Sequence, residues 1–355
     1  MASRKKKPGR RRRLPAKRRG PAWADLPTEQ LLDVRLCDLG VQIVGSPMEP
    51  RIQQVCDELA RRGLRFRPHF WVSEDWFSPQ GVPGCAVPFY LLHPRLTRLE
   101  RRFMLEAEGA GPRDGLKLLR HEVGHAIDHA YRLYLRRKRQ RLFGLSSKPY
   151  PETYLPKPFS RNYVQHIDYW YAQAHPDEDF AETFAVWLRP RSGWRKVYDG
   201  WPVMRKLRYV NDLMGEIADT PRRVTSRERV DPLHGIRKTL REYYAEKQQR
   251  YGTEYPDFFD ADLRKLFSAA PEYQANESAA AFLRRARPTI RHMVSRWTGY
   301  YEYTLDQVLK GVIGRCRELR LRRAHPAGQT RIDAAIMLTV NSMNFLYSGR
   351  RWLDL

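Results

Sequence analysis

The sequence predicts an α+β domain followed by an all-helical one. Three observations carry this expectation. Two short, aromatic, strand-like runs, Arg65 to Val72 and Cys85 to Leu92, stand among segments of helical periodicity. A polar, charged stretch from Arg222 to Asp231 marks a shift in composition, and only helical patterns follow it. The length, 355 residues, exceeds what one hydrophobic core usually serves, and 42% hydrophobic residues can fill more than one. The expected division is a basic arm over 1–22, a first domain over 23–221 and a helical domain over 232–355.

The arm comes first in the chain. Its first twenty residues hold 11 lysines and arginines and no acid, out of a net charge of +25. A basic block with Pro and Gly and almost no apolar side chain cannot pack, so it is expected to be disordered. It suits nucleic acid or another polyanion, and equally a solubilising tail or a localisation address. No apolar segment of the secretory kind follows it, and nowhere do about 18 apolar residues run together. Cys37, Cys56, Cys85 and Cys316 lie far apart, which speaks against a disulfide framework or a cysteine-based zinc site. The expected location is the cytoplasm.

Thr28 to Gly40 and Pro50 to Arg62 read as amphipathic helices with plausible start signals. Ser78 to Pro83 is a Pro- and Gly-rich loop between the two strands. A long helix is expected from an N-cap at Asp114 to about Arg141, with Leu119, Val123, Ile127 and Ala130 on its apolar face. Basic residues crowd its end (Arg132, Arg136, Arg137, Lys138, Arg139, Arg141), where they suit the negative end of the helix dipole. Lys148 to Pro158 carries four prolines and must be a loop. A helix then starts at Pro176, with acids in its first turn, and ends near Arg189; another spans Trp201 to Ala218. The last part reads as four or five helices broken at Pro256, Pro271, Pro288, Gly299 and Pro326, with Trp297, Tyr300, Tyr301 and Tyr303 packing between them.

The chemistry concentrates in His121-Glu122-Val123-Gly124-His125. Residues four apart share one helix face, so the two imidazoles project side by side and can share one Zn²⁺. Glu122 points beside that ion, where a carboxylate can act as general base toward a water. A catalytic zinc needs a third protein ligand. Asp128 and Tyr131 occupy the positions where a metzincin requires Gly and His, which excludes that class. His129 lies too far along a straight helix. His166, His175, Glu178 and Glu182 remain, and Glu178 and Glu182 share a helix face, so one can reach the metal while the other supports it from the outer shell. Asp128, seven residues from His121, is on the face where it could orient a ligand histidine.

His-Glu-Val-Gly-His-Ala-Ile-Asp over 121–128, with Tyr171 and Glu178-Asp179-Phe180-Ala181-Glu182-Thr183-Phe184, resembles the gluzincin zinc metallopeptidases. The likeness is to the anthrax lethal factor catalytic domain and to bacterial proteins described as zinc-binding metallopeptidases. Leu207 to Met214 is similar to a packing helix near the end of the same domain, whereas the loop between the motifs differs in length and sequence. The resemblance implies a zincin-like domain, a small sheet plus an active-site helix. It implies Glu178 as third zinc ligand, Tyr171 as donor to the oxyanion and a peptide or protein as substrate. Such enzymes bind substrate as an added strand on a sheet edge, for which Cys85 to Leu92 is the candidate. A second reading is a nucleic-acid-binding protein with a non-catalytic zinc site; the intact Glu122, which a structural site does not need, favours the peptidase. A secreted effector is a third reading, suggested by the lethal factor likeness alone.

Overall fold

The first helix is shorter than its periodicity suggests. The computed structural model describes residues 21–151, 154, 156–168, 170–251 and 260–347, with only the backbone at 344–347. The first twenty residues of the basic arm and Pro256 lie outside these. Helix α1 spans Thr28–Leu32, and the chain then turns aside into a 3-10 turn, Leu36–Leu39. The N–H groups of Leu36 and Cys37 donate to the carbonyls of Lys238 and Ile236 at 2.9 and 3.0 Å. Pairing with a distant segment thus overrides a local helical preference from Thr28 to Gly40.

Helix α2, Glu49–Arg61, buries Ile52, Val55 and Leu59 along one face. Strands β1, His69–Ser73, and β2, Gly84–Pro88, pair in parallel, His69 opposite Gly84 and Ser73 opposite Pro88. Both are shorter than the runs that foretold them. Pro88 cannot donate to a ladder, and the chain passes into a 3-10 turn, Phe89–Leu91. Strand β2 is buried throughout, and the Ala86 N–H donates to the Phe77 carbonyl at 2.8 Å. The expected substrate edge is therefore already occupied at Ala86.

Helix α3 is Pro94–Met104. Helix α4, Pro112–Tyr131, starts from an N-cap at Gly111 rather than Asp114. It stops ten residues before Arg141, because Arg132 takes the left-handed conformation (φ 51°) that closes a helix. Helix α5, Arg137–Phe143, follows as a separate element. Helices α6, Pro176–Leu188, α7, Trp194–Val197, and α8, Met204–Ile217, follow; α6 packs on α4 and α8 packs on α6.

The segment 222–231 is tied down. Arg223 and Val224 donate backbone N–H to the Ala130 carbonyl, and the carbonyls of Val230 and Asp231 accept from the Trp71 indole and the Ser73 hydroxyl. Helix α9, Leu240–Tyr251, then contributes Leu240, Tyr243 and Tyr244 to a buried cluster that begins at Trp23. A second buried cluster runs from Leu263 to Leu338. It is built by α10, Asp260–Leu266, α11, Ala279–Thr298, α12, Glu302–Glu318, and α13, Ala327–Tyr347. The break in packing thus follows α9, later than the shift in composition.

The second part is not purely helical: β3, Phe267–Ser268, pairs antiparallel with β4, Arg322–Arg323. Pro288, expected to end a helix, sits inside α11, which forgoes one backbone bond there. Trp297, expected in the core, is 75% exposed, while Tyr300 is buried. The described residues are mostly helical with two small sheets, and no helix among them is long and apolar enough to cross a membrane.

Candidate metal centre

The centre lies where α4 and α6 pack together. Gly124 makes this contact possible: a Cβ there would stand 2.8 Å from the Ala181 Cα and 3.0 Å from its carbonyl oxygen. Two small residues let the helix backbones approach closely. Glu178, about a turn before the contact, and Glu182, next to it in the chain, then reach the histidines. His175 fixes the start of α6, its Nδ1 accepting the Asp177 N–H at 3.2 Å while Nε2 donates to the Lys148 carbonyl at 2.7 Å. Pro176 follows at the first helical position, and the acids of the first turn complement the helix dipole.

Three ligand atoms converge. His121 Nε2 lies 2.9 Å from Glu178 Oε2, His125 Nε2 lies 3.2 Å from the same oxygen, and the two nitrogens are 3.1 Å apart. His121, His125 and Glu178 could hold a metal ion, their donor atoms all lying within 4.8 Å of one another. The chemistry of the set fits zinc. Ligands about 2.0–2.1 Å from a four-coordinate ion stand roughly 3.3 Å apart, close to the observed separations. His121 also donates Nδ1–H to Glu182 Oε1 at 2.9 Å, which in a neutral ring leaves Nε2 a lone pair. That lone pair faces a carboxylate oxygen and a second imidazole nitrogen, and only a cation, metal or proton, satisfies all three.

The electrostatics agree. Burial opposes charge on His121, but hydrogen bonds to Glu178 and Glu182 outweigh it and raise its pKa well above the ordinary value. At His125 the same burial is outweighed by Glu178, again an upward shift. Burial would raise Glu178, yet His125 and His121 hold it well below the usual carboxylate range. The site is built to keep an anion facing a cation.

The other candidates for third ligand are committed elsewhere. Glu182 spends Oε1 on His121 and Oε2 on the Ile167 N–H at 2.7 Å. His166 bonds the Lys117 carbonyl at 3.0 Å, and His175 caps α6. Asp128 has as its ion-pair partner, at 3.0 Å, Arg139, a fully buried side chain that also binds Asp177 at 2.5 Å. Arg139 thus does more than face a helix dipole: it ties α5 to α4 and to the first turn of α6. Burial, opposed by Arg139, pushes the Asp128 carboxyl up to about 6.

Glu122 is buried beside the convergent atoms, and the Ser78 hydroxyl donates to its Oε2 at 2.8 Å. The Tyr171 ring stands 5.6 Å from the His121 ring, half-buried. Burial, with repulsion from Glu178 and Glu122, keeps its phenol protonated, the pKa well above the usual range. Two neighbours carry no motif signal in the sequence. Ser78 comes from the loop between the strands, and Tyr150 comes from the proline-rich loop, its hydroxyl donating to Glu178 Oε1 at 2.9 Å.

Residues 109–194 match the model of a family described as "Putative zinc-binding metallo-peptidase". The match covers under half of the chain but includes all of α4 and α6, hence the two histidines, Glu122 and Glu178. No curated protein and no solved structure matches the chain. None of these matches shows the likeness to the lethal factor catalytic domain.

Proposed function

We propose that the chain is a zinc-dependent peptidase of the gluzincin type, its metal held by His121, His125 and Glu178. The observation that carries this reading is the convergence of those three ligand atoms beside Glu122, inside the stretch that matches a zinc-binding metallopeptidase family. Glu182, both of whose oxygens are taken, supports His121 from the outer shell. A bound Zn²⁺ supplies Lewis acidity, acidifying water and polarising a carbonyl. Glu122, steadied by the Ser78 hydroxyl, takes the proton of the attacking water and passes it to the departing amine, so one water is consumed as the C–N bond breaks. Tyr171 donates its hydroxyl proton in a hydrogen bond to the oxyanion of the tetrahedral intermediate. No described residue bonds that hydroxyl, which leaves it available.

The same reading gives a zincin-like catalytic domain and a helical C-terminal domain, in the cytoplasm. The arm over 1–22, with its 11 basic residues in the first twenty, then serves as a docking segment for nucleic acid or another polyanion. Peptide cleavage by wild-type chain and by Glu122→Gln tests the mechanism. The variant should keep its zinc and lose about 10²–10⁴-fold in kcat. Equal cleavage by both proteins would remove Glu122 from the reaction.

A further inference from the structure

The loop between the two motifs is stitched to the first turn of α6. The Ser146 hydroxyl donates to Asp177 Oδ1 at 2.5 Å, the Lys148 carbonyl accepts from His175 Nε2 at 2.7 Å, and the Tyr150 hydroxyl donates to Glu178 Oε1 at 2.9 Å. The Tyr150 ring lies flat on His175, centroids 3.8 Å apart and planes 17° apart. Arg139, which binds Asp177, also donates to the Gly144 carbonyl at 3.2 Å and so anchors the start of the segment. Residues 144–150 therefore form a strap laid along 175–178.

The end of the strap meets the metal centre. Glu178 has two oxygens with different partners: Oε2 faces His121 and His125, and Oε1 receives the Tyr150 hydroxyl. A carboxylate left to itself can rotate and offer either or both oxygens to an ion. With Oε1 engaged, only Oε2 points at the histidines, and the carboxylate plane is set by a hydrogen bond whose donor is braced by stacking on the α6 cap. Outer-shell bonds of this kind orient metal ligands and govern affinity.

We propose that Tyr150 is a positioning residue for the metal centre: through the 144–150 strap its hydroxyl holds Glu178 to single-oxygen ligation. This rests on the reading of Glu178 as a zinc ligand. It also separates the two tyrosines beside Glu178. Tyr150 spends its hydroxyl on the ligand, whereas no described residue bonds that of Tyr171.

The test is Tyr150→Phe in the full chain, because phenylalanine keeps the stack on His175 and removes only the hydroxyl. Zinc affinity is measured by competition with a chromophoric chelator, and the geometry by the visible spectrum of the Co²⁺-substituted protein. The variant should bind zinc about 10–100-fold more weakly, with a shifted Co²⁺ spectrum and an unchanged metal-free melting temperature. Tyr150→Leu, which also loses the stack, should bind at least as weakly as Tyr150→Phe. Wild-type affinity and an unchanged Co²⁺ spectrum in Tyr150→Phe would overturn the role of Tyr150 while leaving the zinc site standing. A wild-type chain that binds no zinc would overturn the site and this inference together.

Discussion

The pair α4–α6 and the bundle α11–α13 are both built from long helices, yet they bury different things. Around α4 and α6 the interior holds His121, Glu122, His125, Asp128, His129, Arg139, Glu178, Asp179 and Glu182. In α11–α13 the one charged side chain buried among the described residues is Asp306, held by Arg287 and Arg291 at 3.1 and 2.9 Å; the rest of the interior there is apolar apart from a few hydroxyl side chains such as Thr298 and Thr304. Burying charge is costly unless each group is paired. The first region carries many such groups inside, and it is the region in which the metal site is proposed.

Acid should break the first region more readily. Burial, with repulsion from His125, lowers the His129 pKa from 6.5 to about 4. Between those values the unfolded chain takes up a proton that the folded chain refuses, so stability is lost as pH falls through this window. The loss attributable to His129 is at most about 3 kcal/mol. Urea melts at pH 7 and pH 4.5 should show a smaller difference in His129→Gln than in wild type, and an identical difference in both would contradict the assignment.

One substitution made in both regions should have opposite signs. Gly124→Ala places a Cβ against the Ala181 backbone and should cost about 1–3 kcal/mol, with weaker zinc binding as the helices part. Gly311→Ala, inside α12 with nothing within 4 Å of the new Cβ, should stabilise by about 0.5–1 kcal/mol. Calorimetry of the two variants decides whether close approach or chain entropy governs each glycine.

The regions also differ in how far the sequence alone could be read. The α4 motif and the start of α6 at His175-Pro176 are local signals, visible because spacing and capping are short-range. The end of α4 was hidden: Arg132 closes the helix in a conformation usually given to glycine, and apolar periodicity continues past it. Glu178 and Glu182 could be picked as candidates from their shared face, but the separate bonds that divide their tasks depend on how two helices pack. Ser78 and Tyr150 are illegible because they arrive from loops, and the pairing of Asp128 with Arg139 is illegible because its two members come from different helices.

Metal analysis of the full chain, equilibrated with zinc and freed of excess, tests the account most directly, with Glu178→Ala and Glu182→Ala alongside. The account predicts about one zinc per wild-type chain, none retained by Glu178→Ala, and a weakened but detectable site in Glu182→Ala. A wild-type chain without zinc, or a Glu178→Ala variant that keeps its full complement, would contradict it.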